Sequence, residues 1–128
     1  MTPAGHVHAL DVDRLVDPAV TFFSARVEGT ILGVGALRRL DPTHAEVKSM
    51  HTNAAARGQG VGRAILARLL NEAAERGFER ISLETGTADE FLPARTLYAS
   101  VGFERCRAFG DYTDNPHSVC MTMKLATN

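Results

Sequence analysis

The sequence has no tryptophan, only two cysteines and no long unbroken run of apolar residues, and its 14 basic and 15 acidic residues leave a formal charge of -1. Each shortage excludes something. Cys106 and Cys120 are too few to staple a disulfide scaffold, so buried free thiols are expected. A balanced charge gives no field for nucleic acid or an acidic membrane, and a polyanion can be held only locally. No stretch approaches membrane-spanning length. Met1 to His6 shows no secretory-leader pattern, which makes the cytoplasm the expected compartment. The histidines lack ligand spacing: His6 and His8 lie two apart, while His44, His51 and His117 are scattered, so no metal site is expected.

What is present suits one small domain over residues 1–128, with 45% hydrophobic and 23% charged residues. His8 to Val16 can form a short helix in an N-terminal segment that Asp17-Pro18 closes. Val20 to Val27 and Ile31 to Leu37 read as a hairpin turning at Glu28-Gly29, and Gly33 and Gly35 mark a bulge or a close neighbour. Ala45 to Thr52 reads as a further strand, whose period of two puts Glu46, Lys48 and Met50 on one face. Polar residues there fit either a half-exposed Glu–Lys pair or a Glu46 that faces a solvated acceptor pocket.

The chain is organised around Arg57-Gly58-Gln59-Gly60-Val61-Gly62. Glycines at alternate positions strip side chains from a tight turn, so successive backbone N–H groups can converge on one point. Val61, Ile65, Leu69 and Ala73 then repeat every four residues, as in an amphipathic helix that Gly77 ends. The positive end of that helix lies beside the bare amides, with Arg57 and Arg63 adding charge, and the natural guest is a pyrophosphate. No Lys follows the glycines as a Walker loop requires, and Phe78 stands about where a dinucleotide site needs an acid. Arg80 to Thr85 is the next strand; a strand, helix and strand in this order imply a parallel pair, with Glu84 ending near the cradle's edge of the sheet.

Further on, a helix from about Leu92 ends at Gly102, and Phe103 to Cys106 begins another strand. Phe109 to His117 is a polar loop before the strand Ser118 to Leu125. Arg57-x-x-Gly60-x-Gly62 resembles the Gln/Arg-x-x-Gly-x-Gly/Ala signature of the GCN5-related N-acetyltransferase (GNAT) superfamily. Leu97-Tyr98 to Gly102-Phe103 is similar to its late Leu-Tyr-x-x-x-Gly-Phe signature, and together they cover about Phe22 to Leu125. The Phe-Gly-Asp-Tyr and Asn-Pro-x-Ser-Val pattern further resembles a bacterial small-molecule subgroup.

The resemblance implies an α/β fold with a mixed, mostly antiparallel sheet, helices on both faces, and acetyl-CoA as acetyl donor. The coenzyme would lie on Arg57, Gly58, Gln59, Gly60, Val61, Gly62 and Arg63, with pantetheine entering a splayed strand as a pseudo-strand. Main-chain donors near Met50, His51 and Thr52 would meet the thioester carbonyl. Tyr98 would stand beside the sulfur, where a phenol of pKa about 10 can protonate a departing thiolate of pKa about 8.5. Glu84, or else Glu46, would take the amine proton; Asp111, Tyr112 and Asp114 would line an acceptor pocket. The expected reaction is direct acetyl transfer to a primary amine of a small molecule. The alternatives are a protein lysine or N-terminal amine acetyltransferase and a non-catalytic acyl-CoA-binding module.

Two positions depart from the family pattern. Where many members carry an Asn that touches the coenzyme, this chain has Phe91. The family's first strand and first helix also find no residues here, which would leave the strand from Val20 with an open edge and suggests a homodimer or an abbreviated variant.

Overall fold

The computed structural model describes residues 19–125. Six strands form one sheet in the order β1-β2-β3-β4-β6-β5: β1 Val20–Val27, β2 Thr30–Asp41, β3 His44–Thr52, β4 Arg80–Gly86, β5 Glu104–Cys106 and β6 Ser118–Lys124. Only β3 and β4 run parallel. Among the described residues two α-helices accompany it, α1 Val61–Glu75 and α2 Leu92–Val101. The mixed, mostly antiparallel α/β expectation therefore holds. The short helix read at His8 to Val16 lies outside the described residues, and among those described β1 is an edge strand.

The β1–β2 hairpin turns on Glu28 and Gly29, both with positive φ (50° and 83°), which matches the right-handed twist of the two strands. α1 buries the stripe Val61, Ile65, Leu66, Leu69 and Ala73 against Leu37, Ala45, Val47, Ile81 and Leu83. Leu66 and Leu69 are wholly buried, and each contributes roughly 1.5–3 kcal/mol of transfer free energy. The helix comes unusually close to β2. A Cβ at Gly33 would lie 2.9 Å from Val61 Cγ1, and one at Gly35 would lie 2.7 Å from Ile65 Cγ2. Those two glycines thus answer to the close approach of a helix.

Gly35 also sits opposite a bulge. Val34 faces His51 while Ala36 faces Lys48, so Gly35 spans Ser49 and Met50, and Ser49 has a φ of 55°. The extra residue reverses the alternation that follows it. Met50 consequently leaves the face of Glu46 and Lys48 and packs on the α1 face, its sulfur 2.8 Å from where a Gly35 Cβ would be. This corrects the uniform period read from Ala45 to Thr52.

α2 lies on that same face: Leu97 approaches Gly62 of α1, and Met123 of β6 packs under Gly102 at its C-terminus. The two described helices therefore share one side of the sheet, where the resemblance implies helices on both faces. Arg38, Glu46, Lys48 and Ser82 point to the other side, which the loop between β5 and β6 partly covers. Cys106 and Cys120 face each other across β5 and β6 as free thiols, both made less acidic by burial.

Gly35→Ala should lower stability by about 1–3 kcal/mol, because the added methyl has to displace Ile65 and Met50 together. A urea midpoint equal to that of the wild type would show that α1 does not press on β2 as described.

Candidate active site

β3 and β4 are paired only from His44↔Arg80 to Glu46↔Ser82. Beyond that point the strands part, while β3 stays paired to β2 as far as Thr52 and β4 stays paired to β6 as far as Gly86. Main-chain groups of Val47 to Thr52 on the β4 side therefore have no ladder partner, as an inserted extended ligand requires. The bulge at Ser49 lies in this stretch. The opening is a cavity of about 410 Å³ walled by Glu46, Met50, Glu84, Gly86, Phe91 and Tyr98.

The glycine turn lies where β3 leads into α1. Gly58 and Gly60 take φ of 80° and 83°, and space is open where their Cβ atoms would be. Gly60 is the N-cap of α1 and provides no side chain, so nothing from the N-cap covers the first-turn amides. Arg57, Gly58, Gln59, Gly60 and Arg63 are exposed, whereas Val61 is buried and belongs to the core. Arg57 Nε donates to the Thr52 carbonyl at 3.4 Å, Gln59 Nε2 to that of Ala55 at 3.2 Å, and Arg63 Nη2 to Ser100 Oγ at 3.2 Å. Bare amides, absent Cβ atoms and the helix's positive end fit a diphosphate; the parted strands fit the arm that follows it in coenzyme A.

The two candidate carboxylates share the cleft wall but differ in environment. Glu84 is exposed, and Ser118 Oγ donates to its Oε2 at 3.0 Å. Glu46 is 1% exposed, which overturns the solvated position expected for it. Its Oε2 accepts the hydroxyl proton of Tyr112 at 2.5 Å, its Oε1 lies 3.8 Å from Arg38 Nη1, and that Oε1 has no hydrogen-bond donor. Nor does Glu46 pair with Lys48. The Lys48 ammonium instead donates to Tyr112 Oη at 3.2 Å, so one phenol bridges the acid and the base. Burial first, and then the bond to Glu46, push the Tyr112 phenol well above its ordinary pKa. The Tyr98 phenol is also raised by burial; its ring stands edge-on to Phe103 at 5.8 Å.

Other candidates are placed as follows. Asp111 lines a second cavity of about 440 Å³ that shares Glu46, Lys48 and Tyr112 with the first. Asp114 accepts the Ala108 amide at 3.0 Å and so shapes its own loop. Thr52 lies beside Gly62, and His51 is exposed. Phe91 lays its ring so closely over Gly86 that a Cβ there would collide with it. Sequence reasoning misses Arg38, Lys48 and Ser118 as site residues. The signal for the first two is the hairpin register, which sets Arg38 directly opposite Glu46 with Lys48 two residues on.

Comparison with known proteins places the chain in a family. Residues 3–103 match the family model described as Acetyltransferase (GNAT) family. The chain is 46% identical over 125 residues to the uncharacterised N-acetyltransferase YsnE of Bacillus subtilis, covering 98% of this chain and 83% of that protein. It is 36% identical to an IAA acetyltransferase of Azospirillum brasilense over 96% and 80% of the two chains. Among solved structures, a Klebsiella pneumoniae protein described as an acyl-CoA N-acyltransferase superposes with a TM-score of 0.80 at 28% identity, over 96% and 89% of the two chains.

Tyr98 and Tyr112 are the only tyrosines, and both are raised. A phenol raised in the folded state stabilises the fold in full below its unfolded value near 10, and that contribution is lost as pH climbs from there through the folded value. Alkaline absorbance titration should therefore show tyrosinate appearing at higher pH in the folded protein than in the urea-unfolded chain. A tyrosinate step at or below pH 10 with native circular dichroism would contradict the Tyr112 to Glu46 bond and the burial of Tyr98.

Proposed function

The chain belongs to the GNAT acetyltransferase family and is an acetyl-CoA-dependent N-acetyltransferase, and from that premise we propose that its acceptor is the primary amine of a small molecule, attacked directly. The observation that carries this is the meeting of two compact cavities, about 410 and 440 Å³, at the single wall made by Glu46, Lys48 and Tyr112. A donor arm in the first and a small acceptor in the second would bring thioester and amine together. The Azospirillum relative is named for a small molecule, IAA, which accords with a small acceptor.

Bound acetyl-CoA supplies an acetyl group already activated as a thioester. The main-chain amides of the turn from Gly58 to Arg63 would hold its diphosphate, with Arg57 and Arg63 adding charge. Main-chain N–H groups near Met50 and Thr52, on the unpaired side of β3, would meet the acetyl carbonyl and stabilise charge building on its oxygen. Glu84 Oε1, on an exposed side chain whose Oε2 is already held by Ser118, takes the ammonium proton through a water. Glu46 is too deeply buried to meet an amine directly and works through Tyr112. The Tyr98 hydroxyl, kept protonated by burial, hands its proton to the departing thiolate.

Thiol release measured over a panel of amines checks this assignment. Tyr98→Phe should lower kcat by roughly 10²–10⁴-fold and leave coenzyme A affinity nearly unchanged, since the phenol acts on the leaving group and not in binding. Glu84→Gln should lower kcat/KM by a similar factor. Full activity in Tyr98→Phe, or preferential use of a lysine-bearing peptide over every small amine, would contradict the proposal.

A further inference from the structure

Charge in the second cavity is even in number and uneven in placement. Its wall carries Arg38, Arg39 and Lys48 against Asp41, Glu46 and Asp111, with His44 held largely neutral by burial. Asp41 is turned onto the Thr43 amide and hydroxyl at 2.8 and 3.2 Å, and that turn holds its carboxyl below the usual range. Glu46 is the one acid that faces Arg38 and Lys48 from within the sheet, and it is already committed to Tyr112. Lys48 has only the Tyr112 oxygen as acceptor, a neutral group, and no carboxylate within ion-pair distance among the described residues. The wall thus presents two cations to one buried anion.

The register makes these cations a pair. Arg38 stands directly opposite Glu46, and Lys48 lies opposite Ala36 on the same face, diagonal to Arg38. Both long side chains line the same cavity and so can reach a common guest. A second observation is independent of that excess: Oε1 of Glu46, on a side chain 1% exposed, has no donor and faces Arg38 at 3.8 Å. The Arg38 side chain makes no hydrogen bond among the described residues, and at 3.8 Å from that oxygen its guanidinium donors stay open to a guest. Asp111, on the opposite rim with Gly110, supplies the negative end.

Resting on the proposed acetyl transfer to a small amine, we propose that this pocket binds an acidic group of the acceptor between Arg38 and Lys48, so that the substrates are zwitterionic amines of the amino-acid type. The carboxylate sits against Arg38 and Lys48, where a guanidinium and an ammonium can each donate to it. The ammonium is turned toward Asp111 and Glu84, at the mouth of the donor cleft. Transfer balances with two protons leaving the nitrogen: the ammonium gives one to Glu84 before attack, the second leaves as the amide bond forms and the C–S bond breaks, and the sulfur departs with the proton of Tyr98, which that second nitrogen proton replaces. The acceptor's acidic group takes no part beyond holding the molecule in place.

Matched triplets test this: an amino acid, its aminophosphonate counterpart and the decarboxylated amine, for example phenylalanine, its phosphonate and 2-phenylethylamine. Binding is followed by calorimetry on coenzyme A-saturated protein, and turnover by thiol release. The acidic members should bind and react at least about tenfold better than the plain amine, as expected for charge-assisted bonds to one acidic group. Lys48→Met, and separately Arg38→Gln, which keeps a donor near Glu46, should each collapse that ratio toward one. A phosphonate preferred over the carboxylate supports the pocket and identifies phosphate-bearing amines as the class. Preferential binding of the acidic members without turnover supports the pocket and contradicts the acetyl-transfer assignment. Plain amines used as well as, or better than, their acidic counterparts overturn the pocket and leave acetyl transfer standing.

Discussion

The parting of two parallel strands after Glu46 and Ser82 is the constraint on which the rest of the molecule depends. Had the ladder continued, β3 and β4 would have satisfied each other's backbone, and no extended ligand could have entered. The separation is built from both sides. On β3, an extra residue at Ser49 to Met50 turns the strand, and Gly35 opposite leaves room for the displaced methionine and for α1. On β4, seven registered pairs with β6 hold the strand straight as far as Gly86. The same strand that bends then runs into the glycine turn, so the opening and the bare turn are placed by one backbone.

A buried acid organises the other side. Glu46 would be costly so deep in the sheet without donors. Tyr112, brought back from the loop before β6, donates to one oxygen, and Arg38 lies near the other. Phe109 stacks edge-on against Tyr112 at 5.2 Å and tilts against His44 at 5.8 Å, fastening the loop to the sheet. His44 Nε2 in turn meets Ser82 Oγ at 2.7 Å, and Ser82 meets Thr122 Oγ1 at 2.8 Å. The polar face of the sheet is therefore a connected network, and the acceptor side of the site is one of its outcomes.

The parts of this arrangement that are local in the chain are legible in the amino-acid sequence. The glycine turn, the α1 stripe, the helix-to-strand step at Gly102-Phe103 and the β1–β2 hairpin each occupy a few consecutive residues, and all occur where expected. Gly33 and Gly35 announce a close neighbour without saying which. A uniform strand period sets Met50 on the wrong face because one inserted residue flips every side chain beyond it, and a bulge leaves no reliable composition signal. The burial of Glu46 is not legible either, since its partner Tyr112 lies 66 residues away and pairing over that distance follows from the fold. Lys48 looks like its salt-bridge partner by proximity on the strand; the phenol that separates them comes from elsewhere.

The central claim is that the parted strands and the bare turn form one coenzyme site. Backbone amide resonances followed during titration with coenzyme A test it most directly, because they report on groups that side-chain substitution cannot remove. The account predicts large shifts confined to residues 49–52, 58–63 and 83–86, with Val20 to Val27 unmoved. Shifts elsewhere, or none at saturating coenzyme in the folded protein, would contradict it.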